Sequence, residues 1–192
     1  MNQQNTPRIE FQPVILDGRA DAQIALAIAY PTEYSPTPED RIGLSKRLKE
    51  FKMNSELSDA EGWWLSRNAL LAALEKTGQP FRSFSLSHTG GIGIAVVSNC
   101  PGIGVDVERK GRICSERLSK RIRNQVEAAT TDMQAWCLLE AVYKADDQQQ
   151  KNGIFAYSLT QIGENFSVAE RPNLKAKLIP HETYVVAVCA RN

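Results

Sequence analysis

The sequence predicts an α+β fold, in which strands and helices occur in groups rather than in regular alternation. Three observations support this prediction. The composition, 42% apolar and 23% charged residues in a chain of 192, is that of an ordinary globular protein. Short apolar or alternating runs beside Asp-Gly and Gly-Gly turns indicate antiparallel strands, and helix-capping motifs lie between them. The order of elements repeats loosely in two halves, residues 1–101 and 102–192, which we expect to fold alike.

The charge and the cysteine content narrow the class of protein. The 23 basic residues are balanced by 22 acidic ones, so the net charge of +1 is too small for a protein that coats nucleic acid or an anionic membrane. The four cysteines form no C-x-x-C pair, which argues against a disulfide scaffold or a zinc site. No run approaches the roughly 18 apolar residues of a membrane-spanning helix. We therefore predict a soluble, cytoplasmic protein with reduced thiols.

In the first half, turn and capping residues delimit the predicted elements. Asp17-Gly18 separates two apolar runs, residues 13–16 and 23–30, which we expect to pair as strands. An N-cap at Thr37 predicts a helix toward residue 52, and the capping box Ser58-Asp-Ala-Glu61 predicts a second one toward residue 78. Residues 83–88 alternate in polarity, and Gly90-Gly91 turns them into an apolar strand at 92–98.

In the second half, a strand at residues 103–108 precedes a basic segment, residues 109–123, that becomes helical from Ser115. The short connection from the preceding hairpin favours an antiparallel sheet. Thr131-Asp-Met-Gln134 is a capping box that begins the next helix. Three further strands are predicted at residues 154–160, 174–179 and 183–189.

Four charged residues of the second half are candidates for chemistry. Asp106 and Glu108 share one strand face, roughly 6.6 Å apart, so they either converge on one hard cation such as Mg²⁺ or form a solvent-facing acidic edge. Glu140 and Lys144 are one helical turn apart. They form either an internal salt bridge or a third cation ligand beside a lysine that binds the same anion as the cation. Spacing alone leaves both choices open.

Ser87-His88-Thr89 ends a strand just before two glycines. Side chains and backbone amides at such a position can hold a phosphate, although a histidine in a strand is also commonly a packed residue. The chain contains neither a P-loop G-x-x-x-x-G-K-[ST] nor a complete G-x-G-x-x-G fingerprint. The sequence identifies no partner for His181, which we expect at the surface.

Four segments, in this order, resemble the phosphopantetheinyl transferases, in particular the pseudo-dimeric surfactin-type group. They are Ser85-Leu-Ser-His88-Thr, Gly104-Val-Asp-Val-Glu108, Arg121-Ile-Arg-Asn-Gln-Val-Glu127 and Trp136-Cys-Leu-Leu-Glu140-Ala-Val-Tyr-Lys144. The resemblance extends over about two thirds of the chain, from residue 61 to the closing strand. It implies a 4'-phosphopantetheinyl transferase-like fold of two similar α+β halves, an intramolecular pseudo-dimer, with coenzyme A in the cleft between the halves.

The resemblance also implies a reaction, in which the 4'-phosphopantetheine arm of coenzyme A is transferred to a serine of an apo acyl or peptidyl carrier protein and 3',5'-ADP is released. It implies a monomer that uses Mg²⁺, or Mn²⁺ in its place. By position, the implied metal ligands are Asp106, Glu108 and Glu140. The implied coenzyme-binding residues are Arg67, Ser87, His88, Thr89 and Lys144, with His88 at the ribose phosphate and Ser87 and Thr89 beside it. The implied catalytic residues are Glu127, Glu140 and Lys144, and Glu127 either orients or deprotonates the carrier serine or reaches the metal.

Three positions differ from the family pattern. Leu139 replaces the lysine that usually precedes the metal-binding glutamate, which removes one cation near the diphosphate. Ile122-Arg123 replaces an aromatic pair, and Glu61-Gly62 replaces a basic residue. The alternative to a transferase is therefore a transferase-like protein that binds the carrier or coenzyme A without catalysis. The basic segment 109–123 is either a docking surface for an acidic carrier or a solvated helix face.

Overall fold

The computed structural model has the predicted α+β class. It describes residues 6–14, 23–53, 56–58, 60–77, 80–127, 129, 131–148 and 153–192. Within these ranges the first half contains β1 (Arg8–Gln12), β2 (Ile24–Tyr30), α1 (Pro38–Glu50), α2 (Glu61–Thr77), β3 (Ser83–Thr89) and β4 (Ile92–Ser98). The second half contains β5 (Ile103–Arg109), α3 (Glu116–Arg123), α4 (Asp132–Ala145), a 3-10 turn (Gly153–Ala156), β6 (Leu159–Ile162), β7 (Asn165–Val168), β8 (Leu174–Ile179) and β9 (Tyr184–Arg191).

The same topology occurs twice along the chain. The first sheet has the strand order β1-β2-β4-β3 and the second β5-β9-β8-β7-β6, and all neighbouring strands are antiparallel. In each half a strand, β2 or β5, is followed by two helices and later by a hairpin, β3-β4 or β8-β9, whose second strand pairs with β2 or β5. Strand β1 is an additional edge strand of the first half. The order β2-β4-β3 thus corresponds to β5-β9-β8. The second half differs by the additional hairpin β6-β7.

The two sheets pack against each other, and a helix covers the outer face of each. Helix α2 packs on β2 and β4, and α4 packs on β5 and β9. Between the sheets lies a core to which both halves contribute, including Leu26, Ile28, Ile94, Val96, Val105, Val107, Val186 and Val188. Two glycines permit close approach of the helices, because a Cβ atom at Gly93 would collide with the α2 backbone and one at Gly104 with the α4 backbone.

Most helix starts agree with the predicted capping residues. Thr37 and Thr131 form the capping boxes of α1 and α4, and Ser115 caps α3. The prediction for α2 was wrong in detail, because this helix begins at Glu61 and the Ser58 hydroxyl accepts a hydrogen bond from the Ala60 amide instead. No helix in the described ranges is long and apolar enough to cross a membrane.

Three strand predictions need correction. The first strand is Arg8–Gln12 rather than residues 13–16; it is a largely exposed edge strand, and its polar residues weaken the strand pattern in the sequence. Residues 15–22, which include the predicted Asp17-Gly18 turn, lie outside the described residues. The predicted strand 154–160 begins only at Leu159, after the 3-10 turn. Strand β7 was not predicted. It follows a two-residue turn at Gly163, whose φ of 62° favours glycine.

Replacing Gly104 by alanine should destabilise the fold. A Cβ atom at this position would lie 2.0 Å from the carbonyl oxygen of Ala141, so α4 would have to move away from β5. Overpacking of this kind typically costs about 1 to 3 kcal/mol, measurable as a lower free energy of unfolding in urea. Gly90→Ala is the control, because a Cβ atom there meets nothing within 4 Å. Equal losses in the two variants would contradict the close approach of α4.

Candidate functional site

The two halves meet where β3 runs along the outer edge of β5. Strand β5 has a hydrogen-bonded neighbour, β9, on one side only, and the side chains of β3 contact its other edge. Three hydrogen bonds cross this junction: Ser87 Oγ donates to Asp106 Oδ1 (2.8 Å), Thr89 Oγ1 donates to Glu108 Oε2 (3.1 Å), and the Val105 amide donates to Ser85 Oγ (3.1 Å). Hydroxyls of the first half therefore bind the carboxylates of the second.

Asp106 is a buried carboxylate on the side of β5 that faces α4. Only 5% of the residue is exposed, and Glu108 is 9% exposed, so the interpretation as a solvent-facing acidic edge was wrong. Lys144 Nζ donates to Asp106 Oδ1 (2.8 Å) and to the Val105 carbonyl (3.1 Å). Asp106 Oδ2 is buried and has no hydrogen-bond partner among the described residues. One oxygen is thus doubly satisfied, and the other has no donor.

Glu108 is paired with cationic and hydroxyl groups on different oxygens. Its Oε1 atom accepts a hydrogen bond from Arg112, four residues further along the chain, and its Oε2 atom accepts one from Thr89. The Arg112 side chain is 60% exposed. An ion pair with one partner so exposed adds little to stability. Arg112 is therefore the exposed partner of a buried carboxylate.

The Glu140 carboxylate lies close enough to Asp106, Glu108 and Lys144 for their charges to affect its pKa. Burial raises the pKa of Glu140 above its usual value, the Lys144 charge opposes this rise, and the Asp106 and Glu108 charges add to it. No described residue donates a hydrogen bond to its carboxylate. The ion pair of Lys144 is with Asp106, so the alternative of an internal Glu140–Lys144 salt bridge was wrong.

These residues fit a hard divalent cation. The carboxylates of Asp106, Glu108 and Glu140 lie near enough for their charges to interact, and a buried oxygen of Asp106 lacks a donor, which is the feature that a cation would satisfy. All the ligands are oxygen atoms, as Mg²⁺ prefers. In the described part of the chain, no three His, Cys, Asp or Glu residues stand ready as a metal-binding group. Lys144 and Arg112 supply the positive charge beside the carboxylates, and these two side chains would have to move aside for a cation to bind.

His88 and Arg67 lie on the α2 side of the first sheet. The His88 ring is placed directly over the first turn of α2, because a Cβ atom at Gly62 would lie 2.1 Å from its Cδ2 atom, yet the residue is exposed. The absence of a side chain at Gly62 therefore leaves the space that the His88 ring occupies. Arg67 on α2 donates to Ser66 Oγ (3.2 Å), its guanidinium carbon lies 6.0 Å from the Trp63 ring, and burial lowers the pKa of Arg67.

Glu127 is placed away from the other predicted residues. Its backbone amide donates to the Leu159 carbonyl, next to a parallel bridge between Val126 and β6. Strand β6 forms the edge of the second sheet opposite to β5. Four strand spacings correspond to about 19 Å across the sheet. The structure brings together Asp106, Glu108, Glu140, Lys144, Ser87 and Thr89, but it does not bring Glu127 to them.

Cys137 is a neighbour of the carboxylates that the sequence reasoning missed. It is buried on α4, and its thiol donates to the Val185 carbonyl (3.6 Å). Burial raises the pKa of Cys137, and the neighbouring Asp106 carboxylate adds to this rise through its charge and as an acceptor close to the thiol. The thiol therefore stays protonated and is not a nucleophile. The spacing of seven residues to Lys144, which keeps both on one helix side, was the available signal.

His181 has partners in the other half, contrary to the expectation of an unpaired surface residue. Its Nε2 atom lies 2.9 Å from the Tyr30 hydroxyl, and its Nδ1 atom accepts from the amides of Thr183 and Tyr184. The His181 and Tyr184 rings meet edge to face, with centroids 5.2 Å apart. Tyr184 also donates to the Gly90 carbonyl (3.4 Å). This aromatic cluster is a second connection between the two halves.

Neither a protein-family model nor a curated protein matches this chain. The resemblance to the phosphopantetheinyl transferases therefore depends on the four motifs themselves. Three of those motifs supply the residues that meet between β3, β5 and α4. The third in order, which ends at Glu127, lies at the opposite edge of the second sheet.

Replacing Lys144 by methionine should destabilise the protein by leaving the buried Asp106 charge unpaired. We expect a loss of about 1 to 3 kcal/mol, less than for a fully buried pair, because 27% of the lysine side chain is exposed. The free energy of unfolding should be measured in urea with a chelator present. In a double-mutant cycle, Asp106→Asn should recover part of the loss caused by Lys144→Met. Additive effects would contradict the ion pair.

Leu139→Lys should also destabilise the protein rather than improve any activity. The expectation that Leu139 removes a cation from the site is corrected by the structure, because this side chain is fully buried in the core of the second half. A lysine there would bury an unpaired charge, which costs several kcal/mol. Leu139→Met is the control for volume, with an expected cost below about 1.5 kcal/mol. Thermal unfolding of the two variants measures the difference, and an equally stable lysine variant would contradict this placement.

Proposed function

We propose that this protein is a 4'-phosphopantetheinyl transferase of the surfactin-type group, which transfers the phosphopantetheine arm of coenzyme A to a serine of an apo carrier protein. The observation that carries the proposal is the junction of β5 and α4, where Asp106, Glu108, Glu140 and Lys144 lie together around a buried carboxylate oxygen without a donor. The repeated strand, helix pair and hairpin support the pseudo-dimeric fold that the resemblance implies.

In this proposal Asp106, Glu108 and Glu140 hold Mg²⁺, or Mn²⁺ in its place. The bound ion neutralises the negative charge that develops on the diphosphate as a phosphorus–oxygen bond breaks. Lys144 contributes a second positive charge at the same place. Its ammonium group has three donors, of which two bind Val105 and Asp106, so one remains for a phosphate oxygen.

The transfer also requires a base. The serine oxygen of the carrier forms a bond to the phosphorus of the phosphopantetheine arm, the bond to 3',5'-ADP breaks, and the serine proton must be taken up. Glu140 is the carboxylate of this group to which no described residue donates a hydrogen bond, so it has lone pairs available for that proton. Glu127 would act only if it approached from the far edge of the sheet, and its placement favours a structural role at β6.

The coenzyme is proposed to lie along α2 and the end of β3. His88 is exposed there, and the Arg67 guanidinium lies on the same side of the first sheet. Both residue types bind phosphate oxygens by charge-assisted hydrogen bonds. This placement puts the ribose phosphate near His88 and the diphosphate toward Lys144.

An acidic carrier is the proposed partner of the basic segment 109–123. Arg109, Arg117 and Lys120 are exposed and form no ion pair with other described residues. Beside them a groove of about 540 Å³ is lined by Ile113, which is 92% exposed, and by other residues that include Met133, Val185 and Arg112. Opposite charges attract over about 8 Å at physiological salt, and an apolar residue adds contact area. Arg112 connects this surface directly with Glu108.

The proposal is tested by intact mass spectrometry of apo carrier proteins of several classes, incubated with this protein, coenzyme A and Mg²⁺. We expect a carrier that gains one phosphopantetheine arm, and no gain when a chelator is present. Asp106→Asn should lower the rate at least about 100-fold, because it removes electrostatic stabilisation of the reacting phosphate. Glu164→Gln, an exposed carboxylate in the β6-β7 turn, is the matched control and should leave the rate unchanged.

Two other outcomes would contradict the proposal, the first its catalysis and the second its cation site. Binding of coenzyme A without any mass gain on any carrier would favour the non-catalytic transferase-like protein. A mass gain that survives both the chelator and Asp106→Asn would show that the carboxylates do not take part in the reaction.

A further inference from the structure

We propose that Ser87 and Thr89 are positioning residues, whose hydroxyls orient the Asp106 and Glu108 carboxylates toward the cation, with one oxygen of Asp106 left without a donor. This inference rests on the proposed function. It differs from what the resemblance implies for the two residues, which is a place beside the ribose phosphate of coenzyme A. The basis is the pair of hydrogen bonds from β3 to β5, of 2.8 Å and 3.1 Å.

The alternation of β3 separates these hydroxyls from His88. Ser87 lies opposite Ile94 and Thr89 opposite Ile92, and both partners belong to the core between the sheets. His88 lies on the other face, over the first turn of α2. A phosphate held by His88 is therefore on the opposite side of the strand from the two hydroxyls.

Proton counting supports the same assignment. A serine or threonine hydroxyl has a single proton to donate, and Ser87 and Thr89 donate theirs to carboxylate oxygens. At Asp106, Ser87 and Lys144 both donate to Oδ1, which leaves the buried Oδ2 without a donor. The hydroxyl thereby determines which carboxylate oxygen stays available. Partners of this kind around a metal ligand typically change metal affinity by about 10- to 100-fold.

The cation site consequently depends on both halves of the protein. The carboxylates and Lys144 belong to the second half, whereas the hydroxyls that orient them belong to an edge strand of the first. A second half with the same carboxylates but a displaced β3 would keep the charges and lose their orientation.

The test is the Mn²⁺ affinity of the intact protein, measured from the electron paramagnetic resonance signal of free Mn²⁺. Ser87→Ala and Thr89→Val should each bind Mn²⁺ about 10- to 100-fold more weakly. Thr89→Ser keeps the hydroxyl and should retain the affinity of the unchanged protein. Ser83→Ala is the control on the same strand, because the Ser83 hydroxyl donates to the Cys100 carbonyl and not to a carboxylate.

A second measurement separates orientation of carboxylates from binding of coenzyme. With a chelator present, the affinity for 3',5'-ADP should be the same in Ser87→Ala, Thr89→Val and the unchanged protein. Weaker nucleotide binding together with unchanged Mn²⁺ affinity would overturn the inference in favour of a phosphate-binding role. If Ser87→Ala fails to fold, the Thr89→Val and Thr89→Ser pair decides the question, since those two side chains differ least from the original.

Failure of the inference and failure of the proposed function give different results. Loss of Mn²⁺ binding in Asp106→Asn, with full binding in Ser87→Ala and Thr89→Val, would overturn the positioning role and leave the cation site intact. Equal losses in Ser83→Ala and Ser87→Ala would also overturn it, because they would trace the effect to the strand as a whole. If the unchanged protein binds no Mn²⁺, both the cation site and the positioning role are wrong.

Discussion

The buried carboxylate of Asp106 is the constraint on which the rest of the site depends. A charge at 5% exposure is tolerated only with compensating partners, and these come from two elements: β3 supplies a hydroxyl and α4 supplies Lys144, while β5 places the group between them. The compensation requires α4 to lie almost in contact with β5, which Gly104 permits. It also requires the sheets to pack so that β3 reaches the edge of β5. The packing of α4 and β3 against β5 therefore also determines how the charge of Asp106 is compensated.

The duplicated topology explains why this junction exists. Each half has a sheet with one face covered by helices, and its other face is apolar and must be buried. The two halves solve this by packing those faces together, which brings an edge strand of each sheet side by side. At that seam one strand carries hydroxyls and the other carries carboxylates, so the two halves make different contributions to one site. The His181 cluster joins them at a second place.

The arrangement is the basis of the proposed reaction between an anionic substrate and an acidic protein partner. In the proposed function, the negative charge of three carboxylates would attract a divalent ion, and Lys144 would keep a positive charge beside it for the phosphate oxygens. The exposed cations of the segment 109–123 present the opposite sign to an acidic carrier. Arg112 belongs to both regions, because it pairs with Glu108 and lines the groove next to Ile113.

Local patterns were sufficient for the α+β class, the hairpin at Gly90-Gly91, the caps at Thr37 and Thr131 and the shared face of Asp106 and Glu108, because each depends on residues close together in the chain. Contacts between distant elements decided the rest. Only the packed structure pairs Lys144 with Asp106 rather than Glu140, buries Leu139 and moves Glu127 to the far edge of the sheet. The physical reason is that the spacing of residues along a helix defines only which side chains share a helix face. Which element packs against that face is decided by burial of the apolar surfaces of both sheets.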